Sequence, residues 1–449
     1  MKKFHKEPVW RLLSKMCLQA TFSLLVYSAY SFTDTWIVAR WVGVMASAGI
    51  GILSPVFFIL SGISATLGTG AASMLSRALG ENESEKSASI VANTIILFFG
   101  CALIFTVLGE LFLSRILIFQ GAKGEIYDAA LAYGRILIAG AVTSTGFSAL
   151  MRAAGQLKYA TLQWVLPILV NLFLDILFIC ALGMGIKGAA WATILSQVVS
   201  GITSFYYFVI CKKKPYIITQ SSLFLDKSIM REIIMTGCPS LFQQIGNSII
   251  IFVFQVLIVS VEGGIIYVSY GIVNQIMQIF WMPHTGITQG VQPLAGYFKG
   301  SGELKKEKCV ICEAIMLSVL YGIGSMVMCK VVFKPAFLLF TDEPLLLKCG
   351  EEIFRILILV FPIKGVGNIL LAVMQAEGKT RSSWILSLFY ILAIQLPCLF
   401  LGKCLCGVTG IWRAMVVSES IYIICAAFLF RKETDYGECN EKQETSSRY

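Results

Sequence analysis

Charged and imidazole side chains are scarce in this 449-residue sequence, where 14% of residues are charged and only two are His. His5 and His284 lie far apart in the chain. A His-rich metal cluster, or a nucleophile paired with a His base, is therefore difficult to build, which argues against an enzyme. Hydrophobic residues make up 57% of the sequence, and we find no stretch left over for a soluble domain.

The 14 cysteines do not have the spacing of a disulfide framework. They are scattered through apolar stretches, where Cys commonly behaves as a small hydrophobic residue. Cys309 and Cys312 have the spacing of a redox or metal pair, but the sequence holds no second pair of this kind near them. We therefore expect no cofactor.

Long apolar blocks dominate the rest of the sequence. A block of about 20 apolar residues is long enough to cross the hydrocarbon core of a membrane as a helix. The blocks lie near residues 13-38, 44-75, 88-113, 127-149, 160-182, 187-211, 231-258, 263-295, 310-333, 348-374, 382-402 and 407-430. The sequence therefore predicts an all-α polytopic membrane protein with twelve transmembrane helices.

The distribution of Lys and Arg predicts the orientation of these helices. Most of the 36 basic residues fall on the side that holds both termini, with clusters at Lys212 to Lys214 and Lys305 to Lys308. The positive-inside rule then places both termini in the cytoplasm. This bias accounts for the net charge of +10, so we predict no nucleic-acid partner.

An internal repeat predicts the architecture. RILI recurs at 135–138 and 355–358, LMRAAGQLK (150–158) parallels VMQAEGKTR (373–381), and GIKGAAWA (185–192) parallels GVTGIWRA (407–414). The common offset of about 222 residues indicates a duplicated half with six spans. Six is even, so both halves enter the membrane from one side as parallel bundles, related by a pseudo-two-fold axis along the membrane normal. Two such bundles are typical of a transporter that works by alternating access.

The repeat also predicts the domain boundaries. They are an N-terminal six-helix lobe at 1–210, a cytoplasmic linker at 211–228, a C-terminal six-helix lobe at 229–430 and a disordered cytoplasmic tail at 431–449.

A few polar residues in the first half point to an ion site. Asn171 and Asp175 are four residues apart, so on a helix they share one face. Asp34 and Thr193 lie at a similar depth in other spans. Together these side chains offer oxygen ligands for a hard cation, or a pair of carboxylates that shares a proton. The alternative is structural: Asp34 reaches the outer interface, and Asp175 hydrogen-bonds a neighbouring helix.

Several motifs resemble the multidrug and toxic compound extrusion (MATE) transporters, in particular the prokaryotic branch with an acidic site in the N-terminal lobe. These motifs are TDTWIVARWVG, ASAGIGILSP, RAAGQLK, NLFLD, LGMGIKGAAWAT, GCPS, GITQGVQPLAGYFKG and GVTGIW. Gln156 stands where the family commonly has Asn, and the second half lacks the acidic pair that another branch uses.

The resemblance implies a multidrug efflux antiporter that exports lipophilic, often cationic, organic compounds in exchange for sodium ions or protons. By this resemblance Asp34, Asn171, Asp175 and Thr193 form the cation-coupling site, and they are the metal ligands if the ion is sodium. The resemblance to a prokaryotic branch also implies the bacterial cytoplasmic membrane as the location, and we expect the protein to act as a monomer in the lipid bilayer.

Lys364 lies near mid-membrane in the second half and requires a partner there. Glu419 is its nearest candidate partner by depth, so the two residues could form an internal ion pair. Alternatively, Lys364 lines a substrate cavity with Asn274, Gln278, Trp281 and Met282. The second histidine, His284, is either a packing residue or part of a proton relay.

A flippase for a lipid-linked or other amphipathic substrate is the alternative transporter function. Such proteins tend to have a strongly cationic central cavity. Lys364 is essentially the one cation that the sequence places at mid-membrane, which favours the antiporter.

Overall fold

The computed structural model describes residues 7–143, 146–211, 214–217, 222, 224–262 and 264–446. Within these ranges the chain is built from helices and connecting turns. Eight α-helices, α1 to α8, precede the linker: Val9–Ile37, Val44–Ile52, Ser54–Gly80, Ser84–Phe119, Gly124–Ala139, Ser148–Ala153, Leu157–Asp175 and Gly185–Phe205. Seven more, α9 to α15, follow it: Lys227–Glu262, Gly264–Gly300, Leu304–Leu338, Pro344–Leu357, Val366–Ala376, Thr380–Phe389 and Leu396–Ser446.

Four helices continue directly into short π-helical segments. These segments are Val38–Val42 after α1, Ile176–Ala181 after α7, Tyr206–Ile210 after α8 and Tyr390–Gln395 after α14. A π-helical turn contains an extra residue, shifts the side chains that follow it around the helix axis and is frequent at functional sites. One of the four segments begins directly after Asp175, and another begins four residues after Asp34.

The helices account for the apolar blocks of the sequence. Eight helical stretches among the described residues are long and apolar enough to cross a membrane. The pair α5 and α6, bent by 50° at a short break, would form a ninth span. Helix α15 contains two arms, because Cys406 and Gly407 have non-helical backbone angles. The φ of +61° at Gly407 lies in the left-handed region, which glycine adopts without steric cost.

Helix α15 continues through Ser446. Much of the tail that the sequence predicts to be disordered, residues 431–449, is therefore helical. This part of the chain is rich in Glu, Lys and Gln, which have high helix propensity, and it extends a helix that has already been nucleated.

The chain forms two compact units that do not coincide with the predicted lobes. Among the described residues, the first unit comprises Phe22–Ile245, and the second combines residues 7–21 with residues 246–446. The start of α1 thus belongs with the second half of the sequence. Likewise, the start of α9 belongs with the first half.

Close glycine contacts explain this division. In the first unit, a Cβ atom built on Gly237 of α9 would lie 1.9 Å from the backbone oxygen of Thr66 in α3. In the second unit, a Cβ atom on Gly290 of α10 would lie 2.8 Å from the backbone nitrogen of Cys17 in α1. The helices approach this closely only because glycine lacks a side chain.

Candidate functional site

The polar residues that the sequence predicts to bind an ion lie in the first unit, and we call their cluster the first-unit site. Its residues come from four helices. Helix α1 supplies Asp34, α7 supplies Asn171 and Asp175, and α8 supplies Thr193. Asn171 is 1% exposed and Asp175 is fully buried. They follow each other at one helical turn, which places both side chains on the same face of α7. Helix α5 adds Tyr133.

The two carboxyl groups lie close together. Asp34 and Asp175 interact electrostatically, and their carboxyl groups are within hydrogen-bonding reach of each other. Two ionised carboxylates repel and neither can donate a hydrogen bond, so the pair is stable when a cation or a proton lies between them. The structure therefore brings together the two acids that the sequence predicts to form one site.

Several polar atoms of this site are buried without a partner. They are Oδ1 of Asp34, both side-chain atoms of Asn171 and both carboxylate oxygens of Asp175, and none of them has a hydrogen-bond partner among the residues that the structure describes. An unpaired buried polar group costs about 1–3 kcal/mol, and an unpaired charge costs more. Such a concentration of unpaired groups is uncommon in a folded protein, which makes this cluster a candidate binding site.

Two tyrosines that the sequence reasoning did not identify belong to the same site. Tyr30 and Tyr133 both interact electrostatically with Asp34 and Asp175. The Tyr133 hydroxyl group is also within hydrogen-bonding reach of Thr193. Tyr30 lies four residues before Asp34, so helical periodicity could have found it. Tyr133 is brought in by α5 packing against α8, a contact that no local pattern reveals.

The site is enclosed by apolar packing. Val38, Tyr133, Ile179 and Ala189 belong to one buried cluster that joins α5 and α8 to the two π-helical segments at Val38–Val42 and Ile176–Ala181. These two segments also contact each other. A low dielectric environment strengthens the interaction of a bound cation with the carboxylates and makes their repulsion without it more severe.

The second unit contains a different polar cluster. Lys364 lies in the break between α12 and α13, and its Nζ atom donates a hydrogen bond to Oε1 of Glu419 on α15. The Tyr390 hydroxyl group donates a second hydrogen bond to the same oxygen, at 3.0 Å. The predicted Lys364–Glu419 pair is therefore confirmed. The Lys364 ammonium group also lies 5.6 Å from the centre of the Trp281 ring.

A small cavity of about 10 Å³, about the space that one water molecule needs, lies beside this pair. Its lining includes Trp281 and Lys364, two of the residues predicted to contact substrate, together with Gln395, Met415 and Glu419. Asn274, Gln278 and Met282 do not line this cavity: Gln278 is exposed, and the other two are half-buried. Sequence reasoning missed Tyr390, which contacts Glu419, and Gln395, which lines the cavity; both belong to the π-helical segment Tyr390–Gln395.

His284 lies in the same unit and is buried against polar and aromatic neighbours. Its Nδ1 atom is 2.9 Å from the hydroxyl oxygen of Ser318, and its ring packs edge-on against Tyr321. Nε2 has no hydrogen-bond partner within the described part of the chain. These contacts fit the packing interpretation, in which Ser318 fixes the orientation of the imidazole ring.

A metal ion that is held by several strong ligands requires a cluster of His, Cys, Asp or Glu side chains. No group of three or more His, Cys, Asp or Glu side chains converges in the described ranges. The first-unit site has two carboxylates, an amide and hydroxyl groups, which are oxygen donors of the kind that hard cations prefer.

Comparison with known proteins identifies the family. The MatE family model matches residues 20–177 and 239–401, which is most of the chain. The chain therefore belongs to the MatE family. It is a multi-pass membrane transporter and not an enzyme, as the sequence predicts.

Individual relatives extend over nearly the whole chain. The probable multidrug resistance protein YoeA of Bacillus subtilis is 24% identical over 415 residues, covering 89% of this chain and 88% of YoeA. The multidrug export protein MepA of Staphylococcus aureus is 24% identical over 435 residues, covering 95% of this chain and 94% of MepA. A solved structure of an outward-facing multidrug resistance MATE transporter of the MOP superfamily superposes on this chain with a TM-score of 0.91. The two are 22% identical in sequence, and the match covers 97% of this chain and 98% of that transporter. This similarity confirms the all-α polytopic fold.

Proposed function

We propose that this protein is a secondary active antiporter that exports lipophilic, often cationic, organic compounds from the cytoplasm in exchange for sodium ions or protons. The names of YoeA and MepA support the substrate class. The first-unit site formed by Asp34, Asn171, Asp175 and Thr193 binds the coupling ion. Tyr30 and Tyr133 complete it.

The observation that carries this proposal is the set of unpaired buried atoms on Asp34, Asn171 and Asp175. A fixed structural role would pair these atoms with neighbouring helices, as Gln163 is paired with Ser200 and Ser204 in the same unit. Groups that must bind and release an ion cannot be satisfied permanently by the protein. Their polar atoms remain available because the exchangeable ligand is their partner.

Ion binding would act where Asp34 of α1 and Asp175 of α7 approach each other. Without a cation, the carboxylates of Asp34 and Asp175 repel each other and favour a conformation that separates them or admits water. A sodium ion or a proton between them removes this repulsion. The bound state then favours close packing of the two helices, and this difference in free energy is what an ion gradient can transmit to the transport cycle.

The polar residues of the second unit do not oppose a cationic substrate. The ion pair of Lys364 with Glu419 carries no net charge, so Lys364 does not repel a lipophilic cation as a free ammonium group would. Asn274, Gln278, Trp281 and Met282 stay predicted substrate contacts, because neutral polar and aromatic side chains suit flat lipophilic cations.

The test is transport in reconstituted liposomes. A fluorescent lipophilic cation is followed while a sodium gradient or a proton gradient is imposed separately, with Asp34→Asn measured in parallel. We expect one of the gradients to drive dye movement in the wild-type protein and the variant to lose it. Asp128→Asn is the matched control, because Asp128 is an exposed carboxylate of α5 and its loss should change nothing.

Two results would overturn the proposal. If neither gradient moves the dye although the protein unfolds cooperatively on heating, the export of lipophilic cations is wrong. If Asp34→Asn transports as well as Asp128→Asn, the first-unit site is not the coupling site.

A further inference from the structure

The two polar clusters are built on corresponding spans of the sequence repeat. In the first half, the fifth and sixth spans carry Asp175 and Thr193. In the second half, the fifth span carries Tyr390 and Gln395, and the sixth carries Glu419. At the repeat offset of about 222 residues, Thr193 corresponds to Met415, which lines the second-unit cavity one helical turn before Glu419. Each unit thus buries a carboxylate on the last two spans of its half, Asp175 on the fifth span and Glu419 on the sixth.

The clusters differ in how the carboxylate is compensated. The carboxylate oxygens of Asp175 have no protein donor within the described residues, whereas Oε1 of Glu419 accepts hydrogen bonds from Lys364 and Tyr390. Glu419 is buried, and the Lys364 side chain, 29% exposed, reaches it from the break between α12 and α13. The ammonium group occupies the position that a bound cation would take.

We propose that Lys364 is a tethered cation that permanently replaces an exchangeable ion at Glu419. The second unit therefore has an acidic cluster that does not bind the coupling ion, and removing the Lys364 charge converts Glu419 into an ion- or proton-binding carboxylate. The consequence for transport rests on the proposed antiport function. The consequence for Glu419 itself can be measured without transport.

Other titratable groups around Glu419 do not substitute for Lys364. Tyr390, from the π-helical segment after α14, and Tyr422, from α15, carry hydroxyl groups, which supply no positive charge, and their rings pack against each other. His284, from α10, is held by Ser318 and interacts electrostatically with Lys364. Lys364 is thus the group that supplies positive charge directly to Glu419.

The first experiment labels protonated carboxyl groups in the folded protein with dicyclohexylcarbodiimide, which reacts with protonated acids in apolar surroundings. Modified residues are identified by mass spectrometry in the wild type, Lys364→Met and Lys364→Arg. We expect Glu419 to be unreactive in the wild type and its labelling to rise by about tenfold or more in Lys364→Met, because loss of the cation favours the protonated form. Lys364→Arg keeps the charge and should restore protection.

Protein folding is monitored in the same samples by thermal unfolding, and Lys364→Gln provides a second neutral variant if Lys364→Met does not unfold cooperatively. Equal labelling of Glu419 in the wild type and in the folded neutral variants would overturn the proposal. So would labelling of Lys364→Arg at the level of Lys364→Met, because the cation would then not be the protecting group.

The second experiment measures the number of ions exchanged per dye molecule in liposomes. Lys364→Met should exchange more ions than the wild type, and Lys364→Met combined with Glu419→Gln should return to the wild-type ratio. An unchanged ratio together with increased labelling of Glu419 would overturn the consequence for coupling while leaving the tethered cation intact. If wild-type protein shows no ion-driven transport, the proposed function fails, but the labelling result still decides the role of Lys364.

Discussion

The two units of this chain solve the same electrostatic problem in different ways. Each buries a carboxylate on the last two spans of its half, but Asp175 in the first unit is left without a donor among the described residues, and Glu419 in the second is paired with Lys364. A buried charge without a partner is costly, so it persists where an exchangeable ligand supplies the partner. The comparison separates a carboxylate available for function from one that is neutralised by the fold.

The most direct way to break this difference is to give the first unit its own tethered cation. Asn171→Lys would place an ammonium group one helical turn before Asp175, where the two can pair. We expect ion-driven dye transport to fall by about 100-fold, because the tethered ammonium group competes with the exchangeable ion for Asp175. A roughly 100-fold loss of ion affinity corresponds to about 2.7 kcal/mol of binding free energy. Liposome transport under each gradient measures this effect.

The control for Asn171→Lys is Asn171→Met, which has similar length and no charge. It should retain a larger share of transport, because Asp34 and Asp175 remain available to the ion. Equal loss in both variants would show that the extra volume at this fully buried position, and not the charge, causes the effect.

The second-largest effect is expected from breaking the ion pair of the second unit. Glu419→Gln leaves the Lys364 ammonium group half-buried without its carboxylate. Removal of one partner from a buried pair is strongly destabilising, and partial exposure of Lys364 reduces the loss to about 2–3 kcal/mol. The midpoint of thermal unfolding in detergent should fall clearly.

Removing both partners tests whether the lost pairing is the cause. Lys364→Met combined with Glu419→Gln should be more stable than Glu419→Gln alone, because it leaves no unpaired charge. Glu352→Gln, at an exposed position of α12, is the control and should leave the midpoint unchanged. A double variant as unstable as the single one would contradict the explanation.

The sequence predicts some parts of these clusters and not others, for physical reasons. Helical periodicity joins Asn171 to Asp175, and matching of depth along the spans pairs Lys364 with Glu419, because both signals are local or one-dimensional. Tyr133 is brought to its site by packing of α5 on α8, which leaves no such signal. The compact units also differ from the predicted lobes, because contacts of Gly237 and Gly290 join helices distant in sequence.

The next prediction concerns a feature that the two units share. Gly237→Ala places a Cβ atom 1.9 Å from the backbone oxygen of Thr66, and Gly290→Ala places one 2.8 Å from the backbone nitrogen of Cys17. Both should destabilise by about 1–2 kcal/mol, because backbones must move apart, with Gly237→Ala the more severe. Thermal unfolding measures the loss.

The matched control for these glycines is Gly100→Ala in α4. No atom of the described residues lies within 4 Å of a Cβ built there, and alanine favours a helix over glycine by up to about 1 kcal/mol. We expect this variant to be as stable as the wild type or slightly more stable. A loss in Gly100→Ala as large as in Gly237→Ala would show that close helix packing is not the cause.

The smallest effect is expected from Tyr390→Phe, which removes one of the two hydrogen bonds to Glu419 and keeps the aromatic ring that packs on Tyr422. Lys364 still neutralises the carboxylate, so the free energy of unfolding should fall by about 1 kcal/mol and transport should be nearly unchanged. Thermal unfolding and liposome transport measure the two effects.

In combination with Lys364→Met, Tyr390→Phe should have a larger effect on Glu419, because Tyr390 is then the remaining donor to its carboxylate. Carbodiimide labelling of Glu419 should accordingly be greater in the double variant than in Lys364→Met alone. Equal labelling in the two would mean that the hydroxyl group does not help to hold the charge of Glu419.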